Sequence, residues 1–424
     1  MSDGAVVMTR TGVCALAVVV ALAGCGGGGP ETTADVARSS EGRVTAPQVA
    51  SDDLASLAAG NDAFAVALYQ TLRPAPGNIV FAPESLSIAL AMTFGGAAGA
   101  TAAQMAATMH YTLPPERLHP AFDALDLALN AAPSGAAAFR LTVVNAMWAQ
   151  EGFAVLPSFL DLMARNYGAA VRLADFIHAP EPARLLINRW VAEQTAGKIP
   201  ELVMMGSIDV MTRLVLTNAI YFNADWETPF AAQSPMGTFH APAGDVGVPM
   251  MTGPAEVPVW TGPGYTAARL PYVGGTTSML LLVPDAGTFD AFEAALTADS
   301  LESVLAGAAT AASQGVSLPR FVVDQHLSVK TALMALGMTD AFDTGAADFS
   351  GIDGGHDLFI QDVIHQVNVA VDEQGTEAAA AAAVIIGRKG VVQTLRVDRP
   401  FLFLIRDDAA NATLFMGRVL DPSR

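Results

Sequence analysis

Seven histidines, at positions 110, 119, 178, 240, 326, 356 and 365, are the side chains of this sequence best suited to move a proton or ligate a metal near neutral pH. No two stand at a metal-ligand spacing. The Gly-x-Ser-x-Gly elbow, the His-Glu-x-x-His zinc helix, the phosphate-binding loop and the Gly-x-Gly-x-x-Gly turn are all absent. His365 is alone in an apolar stretch, the setting of a hydrogen-bonded core residue. Two apolar runs carry a central amide, Asn145 within Leu141–Trp148 and Asn218 within Arg213–Phe222. A buried amide needs partners, so each asparagine is a bonding node or part of a site. These residues compose no catalytic, metal or cofactor site, and the sequence is read as that of a protein that is not an enzyme.

One segment does invite chemistry from outside. Asp372-Glu373-Gln374-Gly375-Thr376-Glu377 leads into six alanines, Ala378 to Ala383, and then through Val384 to Gly387 into Arg388-Lys389-Gly390. Arg388 and Lys389 are the chain's only adjacent basic pair, and Lys389 is one of three lysines. A long run of small residues ending in a dibasic pair is a substrate for a trypsin-like protease, whose acidic pocket takes Lys or Arg. Taken alone, it reads equally as an alanine-rich loop with incidental charge.

The elements that must hold this segment follow from periodicity. Asp53–Arg73 has helical spacing, stopped by Pro74; Asn78–Phe81 is a short buried strand, and a helix runs from Ser85 to about Gly95. Another helix opens at Pro180 and Pro182 and ends at Gly197–Pro200. From Val248 on strands dominate: Thr277–Val283, Val316–Val323, Leu358–Val371, and a hairpin of Phe401–Ile405 with Thr413–Val419. The first half is mainly helical and the strands do not alternate with helices, so the class is α+β.

Charge and termini narrow the setting. The 41 acidic residues against 22 basic ones give a net charge of −19, which would repel a phosphate backbone and excludes nucleic acid as a partner. Although 52% of residues are apolar, many are alanine, and the core must come from Leu, Val, Ile, Met and Phe. Arg10, an apolar run from Val13 to Leu22, and Leu22-Ala23-Gly24-Cys25 read as a secretory signal. The tetrapeptide resembles a bacterial lipobox, which implies removal of residues 1–24 and lipidation of Cys25; an ordinary signal with an incidental cysteine is the alternative. Residues 25–52, rich in Gly, Pro, Thr and Ser, are expected to be a flexible tether, and residues 53–424 a single domain.

At Asp372–Ala381 the sequence resembles the hinge of a serpin reactive-centre loop. Similar blocks recur in order: Asn78–Met105, Ile187–Ile199, Leu216–Trp226, Pro249–Met251, Leu270–Tyr272, Ala347–Ile352, Arg399–Phe403 and Leu414–Gly417. The resemblance spans residues 55–424. It implies the serpin fold, three β-sheets with about nine helices in one domain, and an exposed reactive-centre loop at about 373–394. It also implies a conformational trap: a serine protease attacks the loop, forms an acyl-enzyme, and is disabled when the cut loop inserts as a new strand of the central sheet.

By the same resemblance Glu373, Gly375, Thr376, Glu377 and Ala378, Ala379, Ala380 and Ala381 form the hinge. Counting Glu373 as one puts Lys389 at seventeen, so the reactive bond is Lys389–Gly390, with Arg388 as fallback. Thr376 and the alanines are small and uncharged, so they can slip between strands. If each new ladder bond nets about 1 kcal/mol, a full strand supplies on the order of 10 kcal/mol. Ser85, Asn218 and His365 match the polar shutter beneath the opening sheet, and Trp226 the tryptophan where insertion begins. Ala82 stands where a serine is usual, and Gln366-Val367 where Lys-Ala is common. The expected protein is a monomeric inhibitor of trypsin-like proteases, exported and lipid-anchored to the cell envelope; the alternative is a non-inhibitory serpin-like binding or carrier lipoprotein.

Overall fold

The computed structural model describes residues 35–130, 139–254, 256–376 and 393–424. Hydrogen-bonded neighbours order a seven-stranded sheet as Asp35–Ala37, Val171–Ala174, Phe139–Gln150, Leu214–Asp225, Gly375–Thr376, Ile360–Val371 and Phe321–Ser328. A ten-stranded ladder holds the other strands. In it Ala312–Pro319 joins the expected second and third sheets: Ala312–Gln314 pairs with Val257–Val259, while Ser317–Pro319 pairs with Met250–Thr252. Ten α-helices occur among the described residues, against about nine expected.

The helices sit where the patterns placed them: Ser51–Leu72, Pro83–Phe94 and Pro180–Gln194, the last two opening on proline, whose missing N–H costs nothing in a first turn. The expected single strand Val316–Val323 is corrected to two, Ala312–Pro319 and Phe321–Ser328, which belong to different sheets. Pro319 has no N–H to extend a ladder, so the chain changes sheet there. Arg320 occupies the break.

Two apolar layers flank the seven-stranded sheet. On one face Phe222 meets Tyr272 and Phe415 at ring distances of 5.1 and 5.7 Å, joining that sheet to the second. On the other face Ile187 and Val191 of the helix Pro180–Gln194 pack with Trp148, Val215, Ala219 and Ile364. That helix thus shares one apolar cluster with residues of both central strands, Leu214–Asp225 and Ile360–Val371.

The tether expected over residues 25–52 is corrected from Asp35 onward. Asp35–Ala37 pairs antiparallel with Val171–Leu173, the Val44 N–H donates to Arg165 O at 2.9 Å, and Arg43 donates to Asp123 and Asp126 at 2.8 and 2.6 Å. Local composition reads as linker; long-range pairing overrides it. Among the described residues no helix is long and apolar enough to cross a membrane.

One buried ion pair ties the chain's last strand to the helices. Arg418, its side chain 4% exposed, donates to Glu293 at 2.5 Å and to the carbonyls of Arg73 and Gly77, and the Tyr69 hydroxyl donates to the same carboxylate. Arg418→Ala would leave the Glu293 charge buried and unpaired. Urea unfolding at pH 7 is expected to show a loss of about 3–5 kcal/mol; a loss below about 1 kcal/mol would mean that the carboxylate finds water instead.

Candidate functional site

The two central strands run parallel, an arrangement that needs a long crossover between them. Their register pairs Ile360 with Leu214 and continues to Asn368 with Tyr221. Beyond that level the strands part, and Gly375–Thr376 lies between them, Gly375 against Asp225, Thr376 against Ala224 on one side and Val371 on the other. The hinge runs antiparallel to both neighbours. A Cβ on Gly375 would lie 2.0 Å from Ala224 O, so only glycine lets the chain enter here.

Side chains hold this entry closed around the hinge. The Trp226 indole N–H donates to Asp372 O at 2.9 Å, and its backbone N–H to Gln374 O at 2.7 Å. The Trp226 ring stacks on Tyr272 with centroids 4.5 Å apart, and the Tyr272 hydroxyl meets Thr376 Oγ1 at 2.7 Å. Thr376 is fully buried. Asp372 accepts from the N–H groups of Gln374 and Gly375 and fixes the turn. Glu373, 5% exposed, accepts from Arg320 Nε at 2.8 Å and Nη2 at 2.6 Å, and from the Ser234 hydroxyl. Burial alone would raise the Glu373 carboxyl, but the Arg320 guanidinium and the Ser234 hydroxyl hold it below the usual carboxylate range.

Further down the seam lies the second group, the residues expected to form a shutter. Asn218 Nδ2 donates to Ser85 Oγ and to Asn145 Oδ1, each at 2.5 Å. The Ala82 backbone N–H donates to His365 Nε2 at 2.9 Å. Because that nitrogen accepts, the ring proton is on Nδ1, which donates to Asn218 Oδ1 at 2.5 Å. His365 is thus a neutral strut between a helix start and a central strand. Position 82, where a serine is usual, contributes its backbone N–H to this cluster. Gln366, where Lys is common, leaves its Oε1 buried without a partner.

The expected residues Ser85, Asn218 and His365 therefore meet in one cluster, and Trp226, Glu373, Gly375 and Thr376 in another at the head of the same seam. Arg320, Ser234 and Tyr272 complete the second cluster and were not singled out as site residues by the sequence; only the break at Pro319 marks Arg320. Glu377, Ala378–Ala381, Arg388, Lys389, Gly390 and Cys25 lie outside the described residues. The other histidines are dispersed: His119 meets Tyr167, His178 meets Asp175, His240 meets Asp245 and His326 meets Leu202 O. Nothing in the seam is arranged to attack a bond. What it holds is the two-residue strand Gly375–Thr376 between its two sides.

Burial pushes the His365 imidazole down to about 3 from its ordinary 6.5. Between those values the folded state binds fewer protons than the unfolded chain, so this stability is full above pH 6.5 and is lost as pH falls. From pH 6.5 to 5 the loss is about 2 kcal/mol. His119, pushed down to about 4 by burial, acts in the same sense. Buried Glu84, raised to about 8, acts in the opposite one. The difference between wild type and His365→Asn isolates the strut: urea unfolding from pH 7 to 5 is expected to show a shallower acid decline in the variant. Parallel pH profiles would assign the decline to other groups.

The family model described as Serpin (serine protease inhibitor) matches residues 59–422. Leukocyte elastase inhibitor A of Mus musculus is 37% identical over 86% of this chain and 99% of its own length. An uncharacterised serpin-like protein of Thermococcus kodakarensis is also 37% identical, over 85% and 84%. Among solved structures, the thermophilic serpin tengpin in its native state superimposes with a TM-score of 0.78, 27% identity and coverage of 91% and 97%. Uncleaved ovalbumin gives 0.77 at 27% identity, covering 87% of this chain and all of its own. On this match over most of its length, the chain belongs to the serpin family of serine protease inhibitors.

Proposed function

We propose that this serpin traps trypsin-like serine proteases as a suicide substrate, cut after Lys389 with Arg388 as the fallback, and acts from a lipid anchor at Cys25 on the cell envelope. One observation carries the trapping reading: Gly375–Thr376 already lies antiparallel to both central strands at the head of a seam whose two sides are parallel. Further insertion replaces one parallel ladder by two antiparallel ones, and an antiparallel pair is slightly more stable per residue. Of the residues that follow, Glu377 would have to face solvent, and Ala378 to Ala383 carry nothing that clashes or strands a charge. Carrier function without inhibition has no support in the hinge, since bulky or charged insertion positions are what would favour it.

The decisive mixture is the purified Cys25→Ser chain with near-stoichiometric trypsin on a denaturing gel. The expected product is a denaturant-stable complex near the summed masses, with a released fragment whose N-terminus is Gly390. Clean cleavage with trypsin left active would count against trapping of that enzyme, and a fragment beginning elsewhere would displace the Lys389 assignment.

Thr376→Arg separates cleavage from insertion. Thr376 is fully buried between the strands, so an arginine there cannot enter without stranding its charge. The variant is expected to be cut at the same bond while losing most of the stable complex; undiminished complex formation would refute insertion past the hinge. Lipidation is checked separately, by the mass of the N-terminal peptide from the native host.

A further inference from the structure

A pocket of about 440 Å³ opens beside the docked N-terminal segment, lined in part by Arg38, Arg43, Asn145, Tyr167, Arg172 and Trp190. Strand register puts two of these arginines together. Val36 pairs with Arg172, and Arg38, two residues on, lies on the same side as Val36. Such diagonal neighbours on an antiparallel pair are about 7–8 Å apart, and like charges on one face repel. The Arg172 guanidinium rests 4.2 Å from the Trp190 ring centroid and 5.5 Å from that of Trp148. Among the described residues neither Arg38 nor Arg172 has an ion pair or a side-chain hydrogen bond.

The surrounding charges sharpen the contrast. Arg43 is answered by Asp123 and Asp126. Burial first, then the positive charge of Arg38, holds the Arg172 guanidinium below its ordinary pKa, while Glu193 opposes this. Glu41 is the one carboxylate in the lining, and it is exposed. Asn145 and Ala146 line the pocket from the neighbouring strand, the Asn145 Oδ1 being taken by Asn218. In a chain of net charge −19, two guanidinia without an ion-pair partner at one pocket are a local feature and not a reflection of the whole surface.

We propose that this pocket binds an oxyanion, a phosphate, sulfate or carboxylate group, gripped between Arg38 on the N-terminal segment and Arg172 on the sheet edge. The planar guanidinium fork suits two-point contact with such a group. The bound anion cancels the repulsion across the strand pair, so it holds Asp35–Ala37 against the sheet and stabilises the folded state by mass action. The anion comes either free from solution or as the phosphodiester headgroup of a lipid; Arg38 lies only thirteen residues past Cys25.

The test uses the Cys25→Ser chain, with inorganic phosphate titrated by calorimetry and thermal unfolding against chloride of equal ionic strength. Saturable binding that raises the melting temperature is expected, and Arg38→Gln or Arg172→Gln is expected to weaken it about tenfold. Arg38 is exposed, so its variant folds even if removing Arg172 disturbs the tryptophans. Glu41→Gln is expected to tighten binding. No saturable binding, or equal binding by both arginine variants and wild type, overturns the site. Vesicles of phosphatidylglycerol against phosphatidylcholine then name the source: Arg38-dependent capture by the anionic vesicles supports a headgroup, and phosphate binding without capture supports a free anion.

Discussion

The parallel ladder between Leu214–Asp225 and Ile360–Val371 is the contact on which the rest of the molecule turns. It ends at Tyr221 and Asn368, leaving the upper parts of both strands with room for a guest. The guest is the chain's own continuation, since Ile360–Val371 leads through a tight turn at Asp372 back between the two strands. A strand that folds back on its neighbour is antiparallel to it, and because the other neighbour is parallel to the first, it is antiparallel to both. The geometry of one hairpin thus converts a parallel seam into a place for a better-paired strand.

Two devices act on that seam. Below, Ser85, Asn145, Asn218 and His365 hold the strands to the helix beneath through hydrogen bonds between neutral groups, each worth about 1 kcal/mol net. On the other face Ile187 and Val191 of the helix Pro180–Gln194 belong to one apolar cluster with Val215 and Ile364 of the two strands. Such a lock is small beside the on the order of 10 kcal/mol that a full strand would return. Its members must give way together, so the lock resists as a barrier and not as a deep well. Above, the Trp226–Tyr272 stack and the Arg320–Glu373 pair fix how far the hinge enters.

The fold was legible because its signals are local. Prolines at helix starts, apolar runs at strand spacing and the motif Glu373-Gln374-Gly375-Thr376 survive in a one-dimensional reading, and the polar residues inside apolar strands flagged the shutter. Asn145 and Asn218 could be recognised as bonding nodes, but not as partners of each other. Arg320 escaped notice because its partner is 53 positions away. The N-terminal segment was misread for the same reason: Arg43 finds its carboxylates 80 and 83 positions on.

Composition and order alone determined the α+β class, the serpin-like order of motif blocks and the run of small residues from Ala378 to Ala383, because each depends on side-chain type along a continuous stretch. Only the tertiary structure decided how far Gly375–Thr376 is seated, that the Ala82 main chain bonds His365, and that Asp35–Ala37 docks on the sheet edge while Arg43 and Val44 bond to the helices beside it. These depend on which groups meet across tens to hundreds of residues. Distance in space, and with it desolvation and pairing, is set by the packing of the sheets and not by position along the chain.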